Sequence, residues 1–537
     1  MNTKLLSIRE IAGHLQIPEK YCEYQGTYGA KVKLDLLSDP AFAPRGHLIL
    51  VTATTPTTSG EGKTVVSIGL AEGLARIGCK AIVTSREPSL GPVFGMKGGA
   101  AGGGRSQVEP SEKINLHFHG DFHAITSAHN LLSALIDSHL YFGNALDLDP
   151  ASITWPRALD MNDRALRHIV VGVNSRGDAA SRSTSFVITA ASEIMAILGL
   201  AQSREDLRRR IAAIVIGATR SGRPVTAAEM GATGAMMALL DDALMPNLVQ
   251  TTEGTPAFVH TGPFANIAHG TSSVLSQQMA MRLADYVVNE CGFAADLGAE
   301  KYFDIVMRMN GIQPAVALLV VTVQSLRAQG EGSLEAGFAN LRHHVRSLRG
   351  YGVPVGVAIN RFPSDTDADL SAIAAECAQL GVPSEQTLSF VQGGAGAEQL
   401  ARMVVAIIDA HPKPAVLPVY ELDMPLEEKL HAVATKIYGA DGVEFSDEAH
   451  TKLDRYAGWG FSALPVCIAK TQYSLTDDPK RMGAPSGWKL HITDVTLSAG
   501  AGFVVAIAGN MMLMPGLPRE PRALSIDVCG HGEIIGV

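Results

Sequence analysis

The sequence predicts an α/β fold: a mostly parallel sheet covered by helices, joined by two smaller α/β domains. Short β-branched runs that end in Gly, Thr or Ser alternate with helical patterns, which is typical of parallel strands buried on both faces. One such run leads into a glycine-containing loop at residues 57–64, which has the pattern of a phosphate loop. The chain has 537 residues, more than one core usually holds, since domains span roughly 100–200 residues.

The predicted strands follow one another along the chain. The strand at 47–52 leads through the phosphate loop into a helix from Lys63 to Arg76, and the strand at 80–84 leads into the loop at 85–91. Further strands of the same kind are predicted at 168–173, 213–216, 315–323 and 355–360. Ligands bind at the carboxyl ends of the strands in such sheets, so the loops after them are where a site is expected.

Three domains are predicted, at residues 1–302, 303–412 and 413–537. The proline-rich stretch at 411–418 has the composition of a connector. A helix is predicted at 427–438, followed by a region rich in glycine and proline. The first domain holds the phosphate loop and is therefore the expected nucleotide-binding and catalytic unit.

Composition narrows the class of protein. Apolar residues make up 46% and charged residues 18%, as in a globular enzyme. The net charge of −9 and the absence of a basic patch argue against a nucleic-acid partner. The six cysteines form no Cys-x-x-Cys pair, which argues against structural zinc or a disulfide framework. No signal-peptide core and no apolar run of about 20 residues is found, so we expect a cytoplasmic protein without membrane spans.

The phosphate loop is the strongest local motif. Its glycines let backbone N–H groups face an anion, and the helix that follows adds partial positive charge. The lysine would reach the terminal phosphates of a nucleotide, and the last threonine would hold Mg²⁺. The usual pattern has glycine at the first position, and the competing interpretation is a glycine-rich turn with a lysine by chance. The predicted ATP-binding residues are Thr57, Thr58, Ser59, Gly60, Glu61, Gly62, Lys63 and Thr64.

A second motif, residues 85–104, follows the second predicted strand and is expected to lie beside the phosphate loop. Arg86 offers a planar fork of donors that suits carboxylate or phosphate oxygens. Lys97 and the glycine run at 98–104 could close over the same anions. An isolated arginine would more often form a surface salt bridge of little energetic value.

Four histidines lie close together in the sequence. His117 and His119 alternate on a predicted strand and would share a face, with His123 and His129 nearby. This could suggest a metal site, but no cysteine or carboxylate completes a known ligand spacing. Of the two interpretations, that these histidines form a metal site and that they do not, the metal site is therefore the weaker.

Together these motifs resemble formate–tetrahydrofolate ligases. The likeness extends over essentially the whole chain and includes several long segments that are specific to that family. Beyond the two motifs above, the segments are 116–125, 223–227, 256–270, 295–301, 464–475 and 514–518. We expect the last of these, a rigid turn, to shape the nucleotide or folate pocket. In segment 295–301, Asp296 and Lys301 are expected to form a helix start with a charge pair.

The resemblance implies ATP-dependent ligation of formate to tetrahydrofolate, which gives 10-formyltetrahydrofolate, ADP and phosphate by way of formyl phosphate. MgATP would be a substrate, with Lys63 at its phosphates and Thr64 on the metal. Arg86 would hold the formyl phosphate, Glu87 would orient Arg86 or touch the folate, and His123 would approach the formyl or folate site.

The resemblance places the folate site partly in the second domain, where two aromatic rings sandwich the pterin. Phe362, in the Asn-x-Phe-Pro segment, supplies one ring. The other is usually a tryptophan, and Phe390 stands in its place, with less area for stacking. The resemblance further implies a homotetramer, polyglutamylated folate as substrate, and activation by potassium or ammonium.

Two other functions compete with the ligase. The first is an ATPase that acts as a regulatory switch. Related switch ATPases carry a second lysine near the start of the loop, where this chain has Thr58. The second is an inactive, scaffold-like paralogue, against which the intact Lys63, Thr64 and Arg86 argue.

Overall fold

The computed structural model describes residues 5–96, 99–509, 511–532 and 534–536. Lys97 and Gly98, part of the predicted anion-binding loop, lie outside these residues. Within the described part, no helix is long and apolar enough to cross a membrane.

The strands are short and spread over the whole chain. They are β1 (Cys22–Tyr24), β2 (Ala30–Val32), β3 (His47–Ala53), β4 (Ala81–Ser85), β5 (Gly102–Gly103), β6 (Ser106–Glu109), β7 (Arg157–Leu159), β8 (Ile169–Val171), β9 (Arg182–Thr184), β10 (Phe186–Ile188), β11 (Val215–Ala218), β12 (Pro224–Thr226), β13 (Asn247–Thr251), β14 (Pro256–Val259), β15 (Tyr286–Glu290), β16 (Pro314–Val321), β17 (Val355–Asn360), β18 (Ser384–Thr387), β19 (Gly442–Phe445), β20 (Val466–Ala469), β21 (Lys489–Ser498), β22 (Phe503–Ala508), β23 (Asp527–Val528) and β24 (Ile534–Ile535).

Helices alternate with these strands. They are α1 (Ile8–His14), α2 (Lys63–Arg76), α3 (Leu90–Phe94), α4 (Ser111–Asn115), α5 (Asp121–Tyr141), α6 (Glu193–Leu200), α7 (Arg204–Ala212), α8 (Thr233–Leu240), α9 (Val274–Leu283), α10 (Met307–Asn310), α11 (Val323–Gln329), α12 (Leu334–Gly350), α13 (Asp367–Gln379), α14 (Ser389–Gln392), α15 (Glu398–Ala410), α16 (Leu426–Val433) and α17 (Asp447–Gly458). Wider π-helical turns occupy Ala295–Ala299, Tyr302–Val306 and Ala434–Tyr438.

The main sheet runs in the order β1-β2-β13-β14-β4-β15-β3-β16-β17-β18, with β6 and β5 branching from β13. From β14 to β18 every neighbouring pair is parallel, whereas β1, β2, β6 and β13 pair antiparallel at one side. The predicted fold class, a mostly parallel sheet covered by helices, is confirmed.

Strand β3 shows how the apolar runs build this sheet. Leu48 and Leu50 pack into the core on one face, and Ile49 and Val51 pack into the core on the other. Successive side chains of a strand point to opposite faces, so a continuous apolar run is what a sheet covered on both sides requires. Helix α2 lies on the second of these faces, where Val66 and Leu70 join the same cluster.

Four of the predicted main strands are confirmed as β3, β4, β16 and β17, and the helix at 63–76 is α2. The helix predicted at 427–438 is also confirmed, as α16 and the π-helical turn that continues it. The second and third predicted domains together contain β16–β18, in the main sheet, and a separate four-stranded sheet ordered β19-β21-β22-β20. The proposed boundaries between domains stay a prediction.

Two predicted strands were assigned to the wrong sheet. The segment at 168–173 contains β8, which among the described residues pairs with β9 alone, in a partly exposed antiparallel ribbon. The segment at 213–216 overlaps β11, which pairs antiparallel with β12 outside the main sheet. Both runs are β-branched, and this composition favours any strand that fits a pleated surface, whichever sheet it joins.

Candidate functional site

The phosphate loop connects the end of β3 to the start of α2, at the carboxyl edge of the main sheet. Gly60 and Gly62 have φ of +78° and +70°, a left-handed conformation that favours glycine. Gly62 is the N-cap of α2 and offers no side-chain cap, so the N–H groups of the first turn face outward from the loop. Thr58, Ser59 and Gly60 are exposed, and Lys63 and Thr64 are half-buried. This geometry suits an anion at the helix N-terminus.

Glu61 differs from its neighbours because its side chain is buried, with 2% exposure. Its carboxylate accepts a hydrogen bond from the Thr57 N–H at 2.7 Å and another from the Thr322 hydroxyl. Its own carbonyl oxygen accepts from Asn360 Nδ2 at 3.0 Å. The carboxylate of Glu61 therefore holds the loop from inside, and only its backbone is placed to meet a ligand.

A second buried contact holds the beginning of the loop. The Thr55 N–H donates to His344 Nε2 at 3.1 Å and lies 3.2 Å from Asn340 Oδ1, while Asn340 Nδ2 donates to the Thr55 hydroxyl at 2.9 Å. Burial lowers the pKa of His344 to about 3, so its ring is neutral and Nε2 can accept. Helix α12, which carries both side chains, thus supports the loop. These contacts could not be predicted from the sequence, because Thr55 and His344 are 289 positions apart in the chain.

Arg86 directly follows β4, and its side chain is 20% exposed. Its guanidinium donates to the Pro263 carbonyl at 3.1 Å and lies 3.8 Å from the Glu290 carboxylate. We predicted that the segment at 85–104 lies beside the phosphate loop, and its Gly103 does approach Val65 at the start of α2, but β4 itself is not the neighbour of β3. Instead β15 lies between β3 and β4, because the chain returns to fill the gap later.

The two cations still converge on the end of β15. Burial raises the pKa of the Cys291 thiol above its usual value, and the positive charges of Arg86 and Lys63 both oppose that shift. Gly292 is next in the chain, and a Cβ there would lie 2.9 Å from the Arg86 guanidinium, so only glycine leaves room for it. The structure therefore brings the charges of Lys63 and Arg86 to one place.

Glu87 lies deeper than Arg86, with 4% exposure. Its pKa is raised well above the usual value, first by burial and then by the nearby negative charges of Asp121 and Asp160. Burial and these charges favour the protonated carboxyl group, a form that can donate a hydrogen bond. Its Oε2 has no hydrogen-bond partner among the described residues. Below it, Lys31 and Asp121 form a buried ion pair at 2.8 Å.

The segments that carry Phe362 and Phe390 follow β17 and β18, which are parallel neighbours. Phe362 is half-buried, and its N–H donates to Asp365 Oδ2 at 2.8 Å. Phe390 is 55% exposed, and its carbonyl accepts from the Arg105 N–H at 2.9 Å. A Cβ on Gly103 would lie 3.2 Å from the Phe390 ring, so the ring rests on the glycine run. Both rings are thus at the carboxyl edge of the sheet that also holds the phosphate loop.

The clustered histidines have separate partners. His117 and His119 lie in a turn rather than on the predicted strand. His117 Nδ1 is 2.7 Å from Nε2 of the exposed His123, His119 bonds Asn247, and the buried His129 bonds a backbone carbonyl. Within the described ranges, no group of three or more His, Cys, Asp or Glu side chains is placed to hold a metal ion. The predicted approach of His123 to a formyl or folate group stays a prediction.

Asp296 and Lys301 do not form the predicted charge pair. Asp296 pairs with Lys470 at 2.7 Å, and both side chains are almost fully buried. Lys301 lies 3.4 Å from Glu300 in an equally buried environment. Asp296 lies on the π-helical turn Ala295–Ala299, and Lys301 stands immediately before the turn Tyr302–Val306, so the two side chains have different partners. Lys470 follows β20, and this ion pair joins the C-terminal sheet to the chain near β15.

The turn at 514–518 was expected to shape the nucleotide or folate pocket. It contacts the segment before β8: Met514 O accepts from Arg167 Nε at 2.9 Å, and Arg164 donates to Leu517 O. These contacts fix the turn against the first part of the chain.

Comparison with known proteins assigns the chain to a family. The sequence profile described as "Formate--tetrahydrofolate ligase" matches residues 1–537. The formate–tetrahydrofolate ligase of Pseudothermotoga lettingae is 49% identical over 547 residues, covering 100% of this chain and 98% of that protein. Those of Paracoccus denitrificans and a Nocardioides species are 50% and 51% identical, each covering 99% of this chain and 98% of the relative. The chain therefore belongs to the formate–tetrahydrofolate ligase family.

Proposed function

We propose that this chain ligates formate to tetrahydrofolate at the expense of MgATP, giving 10-formyltetrahydrofolate, ADP and phosphate. One observation beyond family membership supports this. The phosphate loop, Arg86, Phe362 and Phe390 follow β3, β4, β17 and β18, and all of these strands end at the same edge of one parallel sheet. A nucleotide, a small anion and a flat aromatic substrate can therefore meet there.

The nucleotide binds with its phosphates on the loop. In this proposal the N–H groups around Gly60 and Gly62 and in the first turn of α2 bind the phosphate oxygens, and the Thr64 hydroxyl holds the Mg²⁺ of the substrate. Lys63 neutralises charge on the terminal phosphates. Phosphoryl transfer is catalysed mainly by positioning and charge neutralisation, which these groups supply.

The reaction has two steps. A formate oxygen attacks the γ-phosphorus of ATP, the bond to the β-phosphate oxygen breaks, and ADP leaves with that electron pair. The N10 amine of tetrahydrofolate then attacks the formyl carbon of formyl phosphate, and phosphate leaves as the amine loses a proton. Arg86 holds the mixed anhydride between the steps, because its fork of donors matches phosphate oxygens. The environment of Glu87, the next residue, favours its protonated form, which can donate a hydrogen bond.

Phe362 and Phe390 bind the pterin by stacking. Both lie at the rim, one half-buried and the other 55% exposed, so the rings are accessible to a flat ligand. Aromatic pairs gain about 0.5–1.5 kcal/mol beyond the area that they bury. Phenylalanine at position 390 offers less area than tryptophan, which is expected to weaken folate binding.

Several finer features complete the proposal: activation by potassium or ammonium, a preference for polyglutamylated folate, a cytoplasmic location and a homotetramer. The domain division at 302 and 412 belongs to it as well. An exposed apolar patch supports self-association: Tyr141 and Phe142 are 64% and 82% exposed at the end of α5, and Val170 and Val173 are 58% and 63% exposed. Apolar patches of this kind mark interaction surfaces.

One assay tests the proposed activity. The protein is incubated with MgATP and formate, with and without tetrahydrofolate, and the folate product is measured by absorbance after acid conversion. We expect formylated folate only when all three substrates are present. ATP hydrolysis that is independent of folate and gives no formylated product would contradict the ligase function and favour a regulatory ATPase.

A further inference from the structure

Two buried carboxylates belong to the phosphate loop and its helix, and neither faces the open side of the loop. Glu61 is in the loop, and Glu72 is in the middle of α2; they are 2% and 0% exposed. Each lies against a segment that carries one of the two rim phenylalanines. Buried carboxylates are costly unless they are hydrogen-bonded, so their partners are informative.

The first carboxylate joins three strand ends. Glu61 accepts from the Thr57 N–H within the loop and from the hydroxyl of Thr322, which follows β16 and is the N-cap of α11. Its carbonyl accepts from Asn360, the last residue of β17. A Cβ on Gly62 would lie 2.6 Å from Asn360 Nδ2, so this contact needs glycine in the loop.

Asn360 connects this contact to a rim phenylalanine. It stands two positions before Phe362 in the chain, and the intervening Arg361 N–H donates to the Thr387 carbonyl at 3.2 Å. The backbone between Asn360 and Phe362 is therefore fixed at both ends, since the Phe362 N–H is bonded to Asp365. A shift of the phosphate loop must move the start of the Phe362 segment.

The second carboxylate reaches the other segment. The Ser106 hydroxyl lies 3.0 Å from Glu72 Oε2 and 3.1 Å from the Ser389 carbonyl, so it bridges the helix to the residue before Phe390. Arg105, which precedes Ser106, donates its N–H to the Phe390 carbonyl at 2.9 Å. The position of Phe390 is thus fixed by the hydrogen bond to its own carbonyl and by the hydrogen bond to the carbonyl of the preceding residue, Ser389.

Glycines keep this second contact close. A Cβ on Gly69 of α2 would lie 2.2 Å from Ser389 Oγ, and a Cβ on Gly394 would lie 2.7 Å from Glu72 Cβ. A Cβ on Gly104 would lie 2.1 Å from the Phe390 carbonyl oxygen. No side chain fits between the helix and the Phe390 segment, so the two must move together.

We propose that Glu61 and Glu72 are positioning residues that tie both folate segments to the nucleotide-binding loop and helix, one segment each. The inference rests on the proposed roles of Phe362 and Phe390 in folate binding. Because Glu61 is bonded both within the loop and to Asn360, a displacement of Glu61 shifts the phosphate loop and the Phe362 segment together. Through Glu72, the Phe390 segment is set by the middle of α2, beyond the first turn that the proposed nucleotide contacts. Disturbing Glu61 therefore affects ATP and folate, whereas disturbing Glu72 affects folate alone.

The test for Glu72 compares KM for tetrahydrofolate with KM for ATP. Glu72→Ala is expected to raise KM for tetrahydrofolate about fivefold, the change that the loss of one buried hydrogen bond produces, and to leave KM for ATP unchanged. Glu72→Gln is expected to restore the wild-type value, since its amide can still bond Ser106. If Glu72→Ala fails to fold, Ser106→Ala decides: it removes only the bridging hydroxyl, and an unchanged KM for tetrahydrofolate overturns the proposal.

The test for Glu61 uses its donor, Thr322. Thr322→Val removes the hydroxyl and is expected to raise KM for both ATP and tetrahydrofolate about fivefold, while Thr322→Ser restores both. Thr366→Val controls for the lost helix cap, because Thr366 caps α13 in the same way without touching the loop. The positioning role of Glu61 is overturned if Thr322→Val raises only one of the two KM values. It is also overturned if Thr366→Val has an equal effect.

Phe390→Ala separates the inference from the function on which it rests. If that variant leaves KM for tetrahydrofolate unchanged, the proposed folate site is wrong. If it raises this KM while Glu72→Ala and Ser106→Ala do not, the folate site stands and the positioning role is wrong.

Discussion

The phosphate loop and the proposed folate rim, which Phe362 and Phe390 form, share one edge of the sheet. Different kinds of contact hold them in place. The loop is fixed from inside by buried polar groups such as Glu61, Thr55 and His344. Phe362 and Phe390 are instead placed by backbone contacts, and their rings are left partly exposed. The difference indicates that the nucleotide side tolerates little change. We expect the proposed folate side, by contrast, to accept one aromatic ring in place of another.

The largest effect is expected at Lys63, on the rigid side. Lys63→Ala should lower formylated product by about 10³-fold, because one preorganised charge-stabilising group is lost at the phosphates. The measurement is product formation at saturating substrates. Lys80→Ala, at an exposed position before β4, is the matched control and should leave the rate unchanged. Near-normal turnover of Lys63→Ala would remove Lys63 from the proposed site.

A smaller effect, on stability, is expected at the Asp296–Lys470 ion pair. Asp296→Asn leaves a buried ammonium group without its partner and should cost about 3 kcal/mol in the free energy of unfolding. The measurement is urea unfolding followed by circular dichroism. Arg45 and Asp285 form a half-exposed pair, and Asp285→Asn should cost under about 1 kcal/mol. Equal losses in the two variants would contradict the importance of burial.

At the junction of the two regions, Glu72 is expected to make stability depend on pH. Burial raises its pKa from 4.5 to about 7. Below 4.5 it is protonated in both the folded and the unfolded chain. Between these values only the unfolded chain ionises, so the contribution of Glu72 to stability falls as pH rises, by about 3 kcal/mol in all, and is constant above about pH 7.

The comparison of wild type with Glu72→Gln isolates this carboxyl group. Urea unfolding at about pH 5 and about pH 8 should show the variant gaining stability relative to wild type at the higher pH. A difference that is constant across this range would mean that Glu72 ionises normally in the folded protein.

The smallest effect is expected on the exposed side. Phe390→Trp should lower KM for tetrahydrofolate by about twofold to fivefold, because the larger ring adds stacking area. Val391→Ala, at the neighbouring residue with 53% exposure, is the control and should change nothing. A higher KM in Phe390→Trp would mean that the rim is shaped for phenylalanine.

Much of the main sheet could be predicted from the sequence, because apolar runs, glycines and the loop motif are local signals. Strands β3, β4, β16 and β17 were found in this way. The position of β15 between β3 and β4 was not, since strand order depends on contacts between distant parts of the chain. The predictions for β8 and β11, which were assigned to the wrong sheet, were wrong for the same reason.

The residues of the candidate site also fall into two groups, those that local sequence patterns predict and those that they do not. Gly60, Gly62, Lys63 and Arg86 belong to recognisable local patterns. The supports of the loop do not: Thr322 is 261 positions from Glu61, and His344 is 289 positions from Thr55. A hydrogen bond between such residues is set by the packing of helices and strands, which no single segment encodes.

The place of β3 in the sheet bears on how the chain reaches its folded state during synthesis. Its two neighbours are β15, which begins at Tyr286, and β16, which begins at Pro314. A nascent chain that already contains the whole phosphate loop therefore still lacks both flanking strands. Long-range pairings of this kind form slowly and leave apolar strands uncovered in the meantime. The phosphate loop and β3 are the easiest segment to recognise in the sequence. During synthesis they are nevertheless among the segments whose neighbouring strands are made latest.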